Sequence, residues 1–429
     1  MNGRPPTGDG VADHGPADRD PADPDPAHSS EPAEGAEPAH GPEPAHRAGS
    51  AHRADPLAPP PRSVRVVMPG DVADPTAPSG GNTYDRRICQ ELPGIGWQVH
   101  EHLVTGGWPD PGAAARAELT RLLAESADGS VVLLDGLVAC GVPEIVVPEA
   151  ERLRLAVLVH LPLADETGLP AARAADLDDR ERRTLRAVPS VIATSSWAAR
   201  RLVSHHGLAP GTVRVAAPGA DPAPPAPGTD GASRLLCVAT VSPRKGQRRL
   251  VRALAEATET GEAAGTHWSC VCAGGLTRHP DYVTGLRELI SAHGLDDRVH
   301  LAGPLAGADL EASYAAADLL VLASYAETYG MAVTEALARG IPVLATDVGG
   351  VSEALGRAPD GTVPGLLVPP DDPSALAAAL RRWFTEPALR QRLKAAARGR
   401  RAALDGWEAT TRALAGALEQ LHHGPRRAA

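Results

Sequence analysis

The sequence predicts an α/β protein built from two doubly wound, Rossmann-like domains that face each other across a cleft, preceded by a disordered tail. Three observations predict it. From Ser63 onward, short β-rich apolar runs alternate with long Ala/Leu/Arg stretches, the pattern of βαβ units around parallel sheets. That alternation is interrupted by one Pro/Gly-rich stretch, Pro218-Gly-Ala-Asp-Pro-Ala-Pro-Pro-Ala-Pro-Gly228, which reads as an interdomain linker. The chain has 429 residues, 43% of them apolar, enough for two cores of ordinary domain size.

Residues 1–62 carry fourteen prolines, runs such as Asp20-Pro-Ala-Asp-Pro-Asp-Pro26 and almost no large apolar side chain. Such a segment cannot offset its ordering entropy, so disorder is expected. Its histidines at 14, 28, 40, 46 and 52 read as solvated tail. Strands are then expected at Val64–Met68, Gln98–Val104, Ser130–Leu134, Leu155–Val159, Ser190–Ala193 and Val213–Ala216, giving a first domain over residues 63–222. A second series, Arg234–Ala239, Ser269–Ala273, Val299–Leu301, Leu319–Leu322, Pro342–Ala345 and Gly365–Val368, gives a second domain over 223–400. The remainder, 401–429, reads as helix with Trp407 as an anchor, following Arg381-Arg-Trp-Phe384.

Composition narrows the function. The net charge is −11, of which eleven acids against five arginines place −6 in the tail, leaving −5 for the other 367 residues. An extended basic surface that tracks nucleic-acid phosphates is not expected. Five cysteines, Cys89, Cys140, Cys237, Cys270 and Cys272, fit neither a disulfide scaffold nor a zinc site. The Cys270-Val-Cys272 pair falls in a strand-like apolar run, where cysteine acts as a small hydrophobe. No secretion signal and no stretch of about 18 to 20 apolar residues is present, so a cytoplasmic protein is expected, with contact at the inner face of a membrane as the peripheral alternative. Arg86, Arg87, Arg200 and Arg201 could serve such a contact or an anionic acceptor, although solvated helix faces explain them as well.

The segment Ser324-Tyr-Ala-Glu-Thr-Tyr-Gly-Met-Ala-Val-Thr-Glu-Ala-Leu-Ala-Arg-Gly340 runs from a strand end through a glycine turn into a helix. Free amides near Gly330 and Met331 would form an anion site at the positive helix end. Glu327 lies just before the helix and Glu335 about one and a half turns inside it. Taken alone, Glu327 more often reads as an N-terminal capping acid and Glu335 as a solvated helix residue. Arg244 and Lys245 sit in a strand-loop-helix turn and could meet a diphosphate, or be surface cations. Gly80 and Gly81, ahead of a helix capped around Asn82, allow close backbone approach to a charged ligand. His160 ends a strand that would face the cleft, as do Asp135 and Gly136.

The Glu-x7-Glu spacing of Glu327 and Glu335, followed by Gly340-Ile-Pro-Val343 and Asp347-Val-Gly-Gly-Val-Ser-Glu353, resembles the donor-site signature of the retaining family-4 glycosyltransferases with the GT-B fold. The likeness extends over about residues 63–415. It implies that Glu327 contacts the transferred sugar, that Glu335 holds ribose hydroxyls, that Gly80 and Gly81 form the family's glycine loop and that His160 approaches the reacting carbon. It also implies that Lys245 neutralises the diphosphate, that Tyr329, Gly330 and Met331 border the donor, and that the base rests by Gly303. The family arginine that precedes this lysine is replaced by Thr240, leaving Arg244 or Arg248 to supply its charge.

The function so implied is transfer of a hexosyl unit from a UDP- or GDP-sugar to an unidentified glycan, lipid-linked or small-molecule acceptor. Asp-x-Asp appears at Asp23/Asp25 in the tail and at Asp176/Asp178, positions unsuited to a strand-end metal clamp, so no essential metal or other cofactor is expected. The alternatives are a catalytically silent nucleotide-sugar-binding or partner protein of the same fold, and a nucleotide-sugar 2-epimerase.

Overall fold

The computed structural model describes residues 62–74, 78–259, 263 and 265–423. The tail expected over 1–62 therefore lies outside the described residues, apart from Arg62. The first lobe runs β1 (Arg62–Pro69), α1 (Gly80–Glu91), β2 (Trp97–Val104), α2 (Ala113–Ala124), β3 (Val131–Asp135), α3 (Gly136–Ala139) and α4 (Pro143–Glu149). It continues with β4 (Arg154–Val159), α5 (Ala171–Ala187), β5 (Ser190–Ala193), α6 (Ser196–His206) and β6 (Val213–Val215). The second begins with β7 (Arg234–Val238), α7 (Gln247–Glu259), β8 (Ser269–Ala273), α8 (Pro280–Ala292), β9 (Val299–Gly303), α9 (Gly307–Ala315) and β10 (Leu319–Leu322). It closes with α10 (Met331–Ala338), β11 (Val343–Thr346), α11 (Val351–Leu355), β12 (Gly365–Val368), α12 (Pro373–Thr385) and α13 (Pro387–Arg400). A last helix, α14 (Trp407–His423), follows.

All strand pairs within the two sheets are parallel. The first sheet has the order β2-β1-β3-β4-β5-β6 and the second β12-β11-β10-β7-β8-β9. Parallel strands covered on both faces must be apolar throughout, and β3, β5, β10 and β11 are buried at every position. In each sheet the order reverses at one point, between β1 and β3 in the first and between β7 and β10 in the second. Crossovers leave on opposite faces there, opening a crevice beyond the carboxyl ends of the strands. Both crevices open into the same cleft, lined from both lobes.

Helix α14 packs on the first lobe. Trp407, Leu414, Leu418 and Leu421 share a core with Val64, Tyr84, Ile88 and Ile192, and the Trp407 ring meets Tyr84 edge to face at 5.7 Å. The two segments that cross between the lobes touch, the Ala220 amide donating to the Asp405 carbonyl at 2.9 Å. Cys270 and Cys272 lie buried in β8, with Cys237 beside Cys272 in register.

Candidate active site

The cleft encloses a cavity of about 410 Å³. In the second lobe its floor is the switch point of the sheet. The turn after β7 carries Arg244 and Lys245, and the turn after β10 carries Glu327. Because β7 and β10 are neighbours, the two turns meet, and Lys245 Nζ donates to Glu327 Oε1 at 2.6 Å. Ser324 Oγ donates to the same oxygen at 2.7 Å, and Arg244 Nη1 stands 4.0 Å from Oε2. Burial pushes the Glu327 carboxyl up, but Lys245 and Arg244 outweigh it and hold the group below its ordinary range. Lys245 is held below the usual lysine range by burial and by Arg244, with Glu327 opposing.

Glycines make this closeness possible. Gly246 has φ +68°, and a Cβ there would fall 2.0 Å from the Ala323 carbonyl oxygen. Gly349 has φ +58°, and a Cβ would meet the Glu327 carbonyl oxygen at 1.6 Å. The next residue, Gly350, donates its amide to that same carbonyl at 3.1 Å. The Asp347-Val-Gly-Gly turn thus props the Glu327 loop from below.

Gly330, at φ +101°, precedes α10, whose first turn faces the cavity. Glu335, one turn further on, accepts from the Tyr314 hydroxyl of α9 at 2.6 Å. Burial raises its carboxyl above the usual range despite that bond and the neighbouring Arg339.

The first lobe supplies the facing wall. Ser79 caps α1, accepting the Asn82 amide at 3.1 Å, so the cap lies three residues ahead of the position expected from sequence: a serine hydroxyl reaches the third amide of the helix. Gly80 and Gly81 follow. A Cβ at Gly80 would sit 3.3 Å from Met331 of the other lobe, and one at Gly81 3.3 Å from the His160 ring, so Gly80 marks a close approach between the lobes and Gly81 one within the first. His160 follows β4 and bonds Asp85 through Nε2 at 2.7 Å, with Asp135 at 3.4 Å and Tyr84 edge to face at 5.3 Å. Burial disfavours the imidazolium, yet Asp85 and Asp135 prevail and push His160 up to about 9. Burial and the adjacent Asp85 push Asp135 up to about 7, against the opposing pull of His160 and the Leu137 amide.

Polar contacts join the walls. Thr328 Oγ1 donates to the His160 carbonyl and Ser195 Oγ to the Thr328 carbonyl, both at 2.5 Å. Glu353 accepts the Ser196 and Trp197 amides at the start of α6, at 2.9 and 3.2 Å. Arg244 Nε reaches both oxygens of Glu166 at 3.3 Å, and Arg278 reaches Asp71 at 3.2 Å.

Of the residues singled out in the sequence, Gly80, Gly81, His160, Arg244, Lys245, Glu327, Tyr329, Gly330, Met331 and Glu335 all line the cavity, together with Asp135. Gly303 does not: it ends β9 at the sheet edge, its carbonyl accepting the Gly274 amide. Between the two candidates for the missing arginine, Arg244 faces the cavity, whereas Arg248 stacks on Tyr282 at 4.9 Å away from it. Sequence reasoning missed Asp85, Glu166, Arg278 and Tyr314. Asp85 left a signal: with Tyr84, Ile88, Cys89 and Leu92 it falls on the buried face of α1, where an acid needs a partner.

Among the described residues two groups have ligand atoms close enough for a metal, Asp85/Asp135/His160 in the cleft and Asp178/His205/His206 between α5 and α6. In the first, His160 Nε2 is engaged by Asp85; in the second, His205 pairs with Asp178 and His206 bonds Glu181 at 3.1 Å.

Residues 226–400 match the family model described as glycosyl transferases group 1. A D-inositol 3-phosphate glycosyltransferase of Streptosporangium roseum is 33% identical over 264 residues, covering 57% of this chain and 59% of the relative. The chain therefore spans less than two thirds of that relative's length. Among solved structures, the sucrose-phosphate synthase of Thermosynechococcus elongatus is similar with a TM-score of 0.67 at 23% identity, over 85% of this chain and 100% of the other. Anabaena HepE in complex with UDP-glucose is similar with a TM-score of 0.62 at 17% identity, over 83% and 99%. At these identities the likeness is one of fold, and the fold is GT-B.

Proposed function

We propose that this chain, whose residues 226–400 match the family model described as glycosyl transferases group 1, moves a hexosyl unit from a nucleotide-diphosphate sugar to a hydroxyl acceptor, with retention and without an essential metal. The observation that carries this reading is the Lys245–Glu327 pair at 2.6 Å, beside Arg244 and the first turn of α10. A departing diphosphate needs positive charge where negative charge grows, and two half-buried cations with the amides at the start of α10 would supply it without a divalent ion. Glu327, kept ionised, accepts hydroxyls of the sugar. Glu335 has one oxygen engaged by Tyr314 and the other available to the ribose hydroxyls.

In the proposed step the bond from the anomeric carbon to the diphosphate oxygen breaks while the acceptor oxygen bonds that carbon from the same face. The acceptor's proton passes to the leaving phosphate oxygen. Asp85 and Asp135, behind His160, place negative charge near the carbon as it becomes cationic. Contact between the walls keeps water out.

UDP-glucose, bound by HepE, is the first donor to test, with GDP-sugars next. D-inositol 3-phosphate, named for the relative, is the first acceptor. All five cysteines are buried thiols, in keeping with the cytoplasmic setting included in this reading. No described helix is long and apolar enough to cross a membrane.

The test is thermal shift and nucleoside-diphosphate release with UDP-, GDP- and ADP-sugars in EDTA, for the native chain and Glu335→Ala. A selective shift with release, both lost in the variant, supports the transferase. Binding without release under any acceptor favours a silent binding protein, and release only with added divalent metal refutes the metal-free step.

A further inference from the structure

Helices α5 and α6 pack side by side on the first lobe, and where they meet, away from the cavity, stands a group of ionisable side chains that the transfer does not use. Asp178 and Glu181 come from α5, His205 and His206 from the last turn of α6. Ligand-capable atoms of Asp178, His205 and His206 all lie within 4.8 Å of one another. Successive residues on a helix point about 100° apart, yet the two imidazoles meet edge to face with centroids 4.8 Å apart, turned to one side.

The telling atom is His206 Nδ1. His206 is fully buried, and its Nε2 bonds Oε2 of the equally buried Glu181 at 3.1 Å. A carboxylate accepts, so Nε2 carries the proton and Nδ1 keeps a bare lone pair. That lone pair has no partner among the described residues. A buried acceptor without a donor is destabilising, and it ordinarily marks a group whose partner is an ion or a water. An imidazole with one nitrogen on a carboxylate and the other free is the form in which histidine ligates a metal, because the carboxylate fixes both tautomer and ring.

His205 and Asp178 complete the set. They pair through Nε2 and Oδ1, the contact that a cation between them would replace. The other Asp178 oxygen is on Arg182, and Glu181 Oε1 is on the Leu163 amide, so neither acid has to give up those partners. Asp176, by contrast, is taken by Arg173 and Arg180. Ligand atoms around a tetrahedral zinc stand about 3.3 Å apart, so small side-chain rotations suffice to gather the three. Two imidazoles and a carboxylate suit Zn²⁺, whereas Mg²⁺ and Ca²⁺ prefer oxygen ligands throughout.

We propose that Asp178, His205 and His206 form a zinc site that ties the end of α6 to α5, with Glu181 positioning His206 and a water as fourth ligand. Through the Glu181 bond to the Leu163 amide, at 3.3 Å, the site braces the segment that follows His160. It takes no part in transfer and stands independently of the transferase reading.

The full chain, stripped with EDTA and dialysed, is titrated with Zn²⁺, Mg²⁺ or Ca²⁺ and followed by calorimetry and thermal shift. A single zinc should bind at micromolar free metal and raise Tm, and Mg²⁺ and Ca²⁺ should do neither. His205 is exposed, so His205→Gln should keep the Tm of the metal-free chain while weakening zinc by about tenfold or more. Asp178→Asn should weaken it as much, and Glu181→Gln by about 10–100-fold. His160→Gln should leave zinc affinity unchanged, which separates this site from the Asp85/Asp135/His160 group. The histidines at 14, 28, 40, 46 and 52 are present in every variant, so zinc held by them does not respond to these changes. No binding at micromolar zinc, binding unaltered in His205→Gln and Asp178→Asn, or its loss in His160→Gln overturns the assignment.

Discussion

Around one cleft the second lobe places its chemistry in short runs, Arg244-Lys245 after β7 and Glu327 to Glu335 after β10, whereas the first lobe draws single residues from separate segments: Asp71 after β1, Asp85 inside α1, Asp135 at the end of β3 and His160 after β4. Both sheets are doubly wound, and both open their crevice where strand order reverses. The difference lies in what the crevice must do. On the proposed reading, the second lobe would hold a diphosphate, which needs several cations and helix amides together, and two adjacent turns carry them. The opposite lobe needs a balanced set of acids around one imidazole, which distant segments can supply one at a time.

The strongest way to break this comparison is to remove α14, by ending the chain before Gly406. Trp407, Leu414 and Leu418 are buried in the first lobe, each worth about 1.5–3 kcal/mol, against a total domain stability of about 5–15 kcal/mol. Calorimetry should show the first transition lost and the second kept; an unchanged first transition would mean that the helix adds nothing to that core. Next in size, Lys245→Ala should lower kcat/KM by about 10²–10³-fold, as for loss of a preorganised charge at a leaving group, and should also lower Tm, because it leaves the buried Glu327 carboxylate without its closest cation.

Asp85→Asn sharpens the contrast by testing the acids behind His160. A group whose folded pKa is raised stabilises the fold fully below its unfolded pKa, and that stability is lost as pH rises through the folded value. His160, raised from 6.5 to about 9, and Asp135, raised from 3.8 to about 7, act in the same direction. Tm of the native chain should therefore decline progressively between about pH 4 and 9, and the part between 6.5 and 9 should flatten in the variant. A parallel decline in both proteins would show that Asp85 does not govern His160. The smallest effect is expected from Tyr314→Phe, which removes one hydrogen bond to Glu335: donor KM should rise about three- to tenfold with kcat nearly constant.

All twelve strands were legible in the sequence because fully buried parallel strands are continuous apolar runs, and their ends were placed to within about two residues. The second-lobe site was legible for a related reason: a strand-turn-helix with acids at fixed spacing is a local pattern. Asp85, Glu166 and Tyr314 were not. Each acts on a partner 75, 78 or 21 residues away, so only the folded register brings them together. Gly303 stands just outside the cavity lining, bonded through its carbonyl to Gly274, which does line it. The cap at Ser79 was misplaced at Asn82 because both residue types accept amides; the three-residue offset is the reach of the side chain itself.

The return of α14 has a consequence for the order in which the molecule is made. Synthesis proceeds from the amino end, so the strands of the first sheet emerge well before those of the second, and a lobe contained in one stretch of chain could fold at once. Here Tyr84, Ile88 and Trp97 wait for Trp407 and Leu414 to cover them. The first lobe to emerge from the ribosome is the last to be completed, and its open face is what the nascent chain presents to chaperones while the second lobe is translated.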